Sequence, residues 1–231
     1  MKKNRFGLYG KIYGGKPETA VFWGPTTYDK VSYDALESYL AAAPAGNIIC
    51  IEVTDIPKDA LTGNDDTSAL GKKLAACGKK IALKLPETIE GLTDMTSCFK
   101  GCTNVVQVSN FPASVTTMES CFEGCTSLTQ APVIPKAVVN MASCFTECMC
   151  LTTVPAIPES VINMENCFAG CCSITGVTLD CPCGCRSFEN IFGWCSVLAA
   201  GGVKVKAEHL PMYKANSVTM RTTAAKFAEQ D

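Results

Sequence analysis

Cysteine is the residue with the most chemistry in this sequence: 16 of 231 residues carry a thiol, and Cys181-Pro-Cys-Gly-Cys185 sets three of them at alternate positions. Thiolates spaced this way around a Pro and a Gly suit a soft ion such as Zn²⁺ or Cu(I) better than a hard one. The same spacing allows a local disulfide, and it also fits free thiols in an irregular turn, the reading preferred here. Cys181, Cys183 and Cys185 therefore stand as candidate metal ligands with two alternatives open. No two cysteines anywhere stand at the i, i+3 spacing of zinc ribbons or thioredoxin-like redox motifs. His209, the single histidine, lies next to Glu208 and outside the cysteine-bearing segment, so it reads as a solvated or structural residue and not as the base of a Cys-His pair. No GxxxxGK[ST], GxGxxG or HExxH motif occurs, and Asp65-Asp66 reads as a helix cap. The expectation is a protein that is not an enzyme, with no catalytic residue and no cofactor.

Most of the remaining thiols belong to a pattern. At an offset of 23 residues, Met95, Met118, Met141 and Met164 align, as do Cys98, Cys121, Cys144 and Cys167; Phe99, Phe122, Phe145 and Phe168; and Cys102, Cys125, Cys148 and Cys171. A fifth unit comes after 24 residues, with Phe188, Ile191, Phe192 and Cys195 in the same columns. A fixed period in this range signals stacked coils, each too small to bury its apolar face alone. Met, Cys, Phe and Cys at i, i+3, i+4 and i+7 share one face of a helical turn, which predicts a short helix or 3₁₀ segment in each coil. The other half, as in Val105-x-x-Val108-x-x-Phe111, predicts a short strand closed by Pro112, Pro135 or Pro158 in three copies. Stacking then yields a parallel sheet and a column of rings from Phe99 to Phe168. Free cysteine packs as a small buried hydrophobe, so the nine periodic thiols are expected to fill the core and to be inert.

The unit from Cys125 to Cys148, CTSLTQAPVIPKAVVNMASCFTEC, resembles the BspA-like class of leucine-rich repeats, and the resemblance runs from about Leu92 to Leu198. Met stands where that family usually has Ile, and Cys where it often has Ala before Phe; both changes keep the position apolar. The resemblance implies an α/β fold: a right-handed leucine-rich-repeat solenoid with a parallel β-sheet on one face and short helical or 3₁₀ segments on the other. It implies a bacterial protein, secreted or at the cell surface, that adheres to or recognises host or neighbouring-cell proteins. No catalytic residue comes with it.

Four regions are expected. Residues 1–46 form an N-terminal cap, with a β segment in the glycine- and aromatic-rich start and a helix over Tyr33–Ala42 under an Asp34/Glu37 capping box. Residues 47–91 form longer strand-helix coils: a strand at Asn47–Val53, a helix capped from 64–67 that runs through Leu70 and Leu74 to Gly78, and a strand in KKIALKL. Residues 92–198 are the repeats, and 199–231 a cap with a strand at Val203–Lys206 and a helical tail over Met212–Glu229.

The charge is −2 with a pI near 5.6, which supplies no cationic surface for nucleic acid or an anionic membrane. No apolar run approaches the ~20 residues of a membrane span. Beyond the basic start, Gly and Tyr break the apolar run that an export signal needs, so none is expected there. Between Cys98 and Val197 three basic and seven acidic residues leave −4, too little for strong steering. Contacts through shape and hydrogen bonds, with a protein or a glycan, are favoured. The concave strand face would carry them, through Val106, Gln107, Thr129, Gln130, Thr152, Thr153 and Thr175. The alternatives are a structural scaffold component of a larger surface or virion assembly and, more weakly, a thiolate metal-binding protein.

Overall fold

The computed structural model describes residues 27–182, 184 and 187–230. The expected β segment within residues 1–26 therefore lies outside the described residues. The first sheet has the order β1-β2-β3-β4, all parallel: β1 Asp29–Ser32, β2 Ile49–Thr54, β3 Ile81–Lys84 and β4 Val105–Ser109. Helix α1, Leu36–Ala42, connects β1 to β2, and α2, Ala69–Ala76, connects β2 to β3. Within 49–84 the chain thus runs strand, helix, strand, and both strands belong to the same sheet.

The helix ends differ from expectation in instructive ways. Helix α1 begins at Leu36, and its N-cap, Ala35, receives no side-chain bond, so the Asp34/Glu37 capping box is not made. Its C-terminal carbonyls are held instead by a distant lysine: Lys79 Nζ donates to Leu40 O and Ala43 O, each at 2.7 Å. The cap of α2 is Ser68, one residue beyond the expected 64–67; its hydroxyl accepts from Gly71 N at 3.1 Å and donates to Cys98 O at 2.7 Å. One side chain thereby caps the helix and ties it to the first repeat turn. A Cβ at Gly71 would lie 2.4 Å from Cys98 O, so only glycine allows this approach. At the other end of α2, Asn104 Nδ2 donates to Leu74 O at 2.8 Å.

The repeats contain no α-helix or 3₁₀ helix among the described residues, which corrects the expected helical half. In its place stands a chain of turns whose backbone bonds alternate between coils. Cys121 N, Glu123 N and Cys125 N donate within the coil to Met118 O, Ser120 O and Phe122 O, while Met118 N, Ser120 N, Phe122 N and Gly124 N donate across to Asn140 O, Ala142 O, Cys144 O and Thr146 O, each at 2.8 Å. The alternation requires left-handed residues, Ser120 (φ 51°) and Gly124 (φ 71°), which interrupt helical winding. A left-handed non-glycine costs about 1–2 kcal/mol, and the cross-coil bonds that it permits offset that cost. The i, i+3, i+4, i+7 stripe still points inward, so the apolar pattern holds on a backbone that is not helical.

The sheet is also less continuous than expected. Between β4 and β5 (Val177–Leu179) strand pairing is reduced to isolated parallel bridges, Gln107↔Gln130↔Thr153, Ile157↔Leu179 and, on a second column, Asp94↔Thr117↔Asn140↔Asn163. Proline is the reason. The position of Ser109 in β4 is Pro132 and Pro155 in the next two coils and Thr178 in the one after. Proline has no N–H for a ladder, and the strand returns where threonine replaces it. A second parallel sheet comes next, of order β5-β6-β7, with β6 at Val203–Val205 and β7 at Phe227–Glu229. Helix α3, Leu210–Ala215, lies between β6 and β7, so the expected helical tail ends in a strand.

The core is one continuous cluster. Its spine is the predicted column of rings: Phe99–Phe122 at 5.3 Å, Phe122–Phe145 at 5.4 Å, Phe145–Phe168 at 5.7 Å and Phe168–Phe192 at 6.1 Å, all stacked. Eight of the nine periodic cysteines are buried and Cys195 is half-buried.

Candidate functional site

Among the described residues three groups of thiols bear on chemistry. In the column nearer the coil's end, Cys125 Sγ donates to Phe99 O at 3.0 Å, and Cys148, Cys171 and Cys195 donate at 3.1 Å to Phe122 O, Phe145 O and Phe168 O. These cysteines therefore bond coil to coil as well as fill volume, a role that a small apolar residue such as Ala cannot supply. Burial pushes the Cys102 and Cys195 thiols up to about 12 and raises those of Cys121, Cys125, Cys144, Cys148, Cys167 and Cys171 as well. Thiols so held are neither nucleophiles nor ligands at neutral pH.

Cys181, the first member of the CPCGC stretch, also faces inward. Its Sγ lies 3.5 Å from Tyr213 Oη and 3.8 Å from Met164 Sδ, and burial pushes its thiol up to about 11. Cys183 and Cys185 lie outside the described residues. Among the described residues no group of three metal-ligating side chains is assembled.

Cys150 and Cys172 are exposed. Among the described cysteines a short iodoacetamide pulse at about pH 8 should label these two first, because a thiol near 12 is ionised in only about one molecule in ten thousand at that pH. Peptide mass spectrometry should find Cys121, Cys144 and Cys167 unmodified until the chain unfolds; labelling of those three at the rate of Cys150 would refute the inert-core assignment.

On the strand limb, the expected binding residues separate into two sets. Thr129, Thr152, Thr153 and Thr175 are exposed, and Val106 and Gln107 are half-buried. Two of the hydroxyls are already engaged in stacking: Thr129 Oγ1 donates to Val106 O at 3.3 Å, and Thr152 Oγ1 to Thr129 O at 3.1 Å. They keep acceptor capacity but no free donor. Gln107 and Gln130, joined by their parallel bridge, line a cleft of about 320 Å³ together with Phe111, Pro132, Val133 and Pro155. Val106, Thr129, Thr152, Thr153 and Thr175 do not line it. Gln130 Oε1 is itself buried and has no hydrogen-bond partner among the described residues, so a partner's donor would reach it only if the side chain turned outward. Counting outward-facing strand positions misses the apolar lining. Its signal is the Ala-Pro-Val-Ile-Pro run at 131–135, where Val133, 76% exposed, projects from between two prolines.

Parallel strands, turns hydrogen-bonded from coil to coil and a column of stacked rings define a stacked-coil repeat protein. The chain belongs to the BspA type leucine rich repeat region family, whose model matches in six copies over residues 73–198, more than half of its length. The match takes in part of α2 and β3, ahead of the expected start at Leu92. Among solved structures, the crystal structure of a T. pallidum leucine rich repeat protein is 23% identical, covering 53% of this chain and 69% of that one with a TM-score of 0.37. No curated protein matches the chain. Leucine-rich repeats generally mediate protein binding or adhesion and are typically non-enzymatic. No helix among the described residues is long and apolar enough to cross a membrane.

Proposed function

We propose that the protein is a non-enzymatic recognition module, adhesive in its biology, that docks a protein partner on its strand limb. In a right-handed solenoid of the family's kind that limb is the concave face. Residues 92–198 would carry the recognition, with 1–46 and 199–231 as caps and 47–91 as the longer coils that join them. The observation that carries the reading is the Gln107/Gln130 cleft, whose walls are an exposed valine, three prolines and a phenylalanine beside the two glutamines. An apolar anchor with a few convergent polar groups is the usual form of an interface centre. The exposed threonines extend the surface as hydrogen-bond acceptors, and neighbouring coils display them in register.

A partner retained on the immobilised chain should lose at least about tenfold in affinity when Gln130→Lys and Val133→Asp are combined, a loss in the range of a single hot spot. Thr152→Lys and Thr153→Lys should weaken it less. Circular dichroism checks that the coils persist. Unchanged capture by the Gln130/Val133 pair would remove the strand limb as the site.

A further inference from the structure

A second cleft, on the turn limb, carries features that coil stacking does not require. It holds about 480 Å³ and is lined by Glu165, Asn166, Glu189, Asn190, Gly193, Trp194 and Arg221. Trp194 is 84% exposed, and its backbone sits at φ 65°. The same left-handed slot in the preceding coils is Gly101, Gly124, Glu147 and Gly170. A bulky residue with positive φ is an outlier that persists where something else requires it. The core does not require it, since the indole is in solvent. We propose that this cleft binds a neutral saccharide, with Trp194 as the platform for a sugar ring.

The surrounding groups fit that class. Asn190 Nδ2 donates to Asn166 Oδ1 at 2.6 Å, and Asn166 Nδ2 donates to Glu165 Oε1 at 3.3 Å, so the two amides and a carboxylate form one fixed chain. Gly193 makes room for it: a Cβ there would meet Asn190 Oδ1 at 2.2 Å. Glu189 adds an acceptor on one side, and Arg221 adds donors. Donors and acceptors ring a single exposed indole, whose face is apolar and whose rim is wet. A pyranose is built to match, with a C–H face for the ring and hydroxyls that donate and accept at its edge. Two carboxylates disfavour an acidic ligand. Arg221 disfavours a cation, which would also lack the further rings of an aromatic cage. The volume is that of a small-molecule site. Glu and Asn occupy their two columns together only in the last two coils, Glu165-Asn166 and Glu189-Asn190, so the site is built once.

The chain has two tryptophans, Trp23 and Trp194. The full chain carrying Trp23→Phe isolates the emission of Trp194, and binding is read first on an array of neutral and acidic glycans. The expected result is retention of at least one neutral glycan, whose soluble form shifts Trp194 emission saturably. Calorimetry should then show at least a tenfold loss of affinity in Trp194→Gly and a smaller loss in Glu189→Gln. Trp194→Gly installs the residue that three other coils already use, so the fold is retained. Gln130→Lys with Val133→Asp should leave glycan binding intact, which separates this site from the strand limb. No neutral glycan retained, retention of acidic glycans alone, a response only to choline or an arginine-rich peptide, or undiminished binding by Trp194→Gly would each overturn the proposal.

Discussion

Raising the pH from about 7 to about 10 under reducing conditions should cost the protein most of its stability, read as a steep fall in the urea midpoint. The cause is the sulfur in the core. Burial holds nine thiols above their ordinary pKa, with Cys102 and Cys195 at about 12 and Cys181 at about 11. As pH rises through about 9 the unfolded chain releases these protons while the folded chain keeps them, so the stabilisation complete below about 9 is lost progressively toward each folded pKa. Each thiol held above its unfolded pKa adds to the loss, and nine such losses together are large against the marginal stability of a domain. Replacing Cys121, Cys144 and Cys167 with Ala should make the fall shallower by those thiols' share. A midpoint that stays flat across this range would show that the core thiols are not held neutral, and the inert-core assignment would fail with it. The same burial should keep the core cysteines from oxidants while the coils are stacked.

The alkaline lability stems from columns visible in the sequence, and so does much of the fold. Period 23 places every ring from Phe99 to Phe168 and every buried thiol in those columns, because a stacked coil must repeat its inward positions. The period does not show how the backbone closes. The stripe Met118, Cys121, Phe122, Cys125 fits a helix as well as it fits alternating turns; the positive φ of Ser120 and Gly124 decides, and a serine announces that conformation only weakly. Likewise Pro112, Pro135 and Pro158 look like strand ends in the sequence, whereas Pro132 and Pro155, inside the expected strands, are the ones that reduce the sheet to single bridges. The caps are legible by residue type but not by partner. Ser68 bonds Cys98 and Lys79 bonds Leu40, contacts of 30 and 39 residues' separation that no local motif encodes. At the candidate site, Gln107 and Gln130 can be reached by counting outward positions along a strand. The threonines counted with them stand on the same limb, but two of their hydroxyls are taken up by stacking. Trp194 escapes such a count because an isolated aromatic in a degraded repeat looks like drift, and only its exposure and backbone angle set it apart.

Phe145→Ala should be the most damaging single substitution. The ring is fully buried and stacks on both sides, at 5.4 Å on Phe122 with planes 6° apart and at 5.7 Å on Phe168 with planes 2° apart. Truncating a buried phenylalanine costs about 3–5 kcal/mol, part of it for the cavity left behind. The architecture makes the location matter as much as the amount. In a stack where each coil touches only its neighbours, stability is a sum of coil and interface terms, and a central defect weakens two interfaces at once. The coils on either side then lose their coupling, so denaturation followed by pulse alkylation of Cys121 and of Cys171, both buried, should no longer coincide. Phe192→Ala, next to the cap where the ring meets Phe227 edge-on at 6.4 Å, should loosen the C-terminal coils and leave the central ones cooperative. Phe145→Leu should recover most of the loss by filling volume without stacking. If Phe145→Ala unfolds within about 1 kcal/mol of the unmodified protein, or if both probes still report one transition, the ring column is a consequence of the stack and not the element that holds it together.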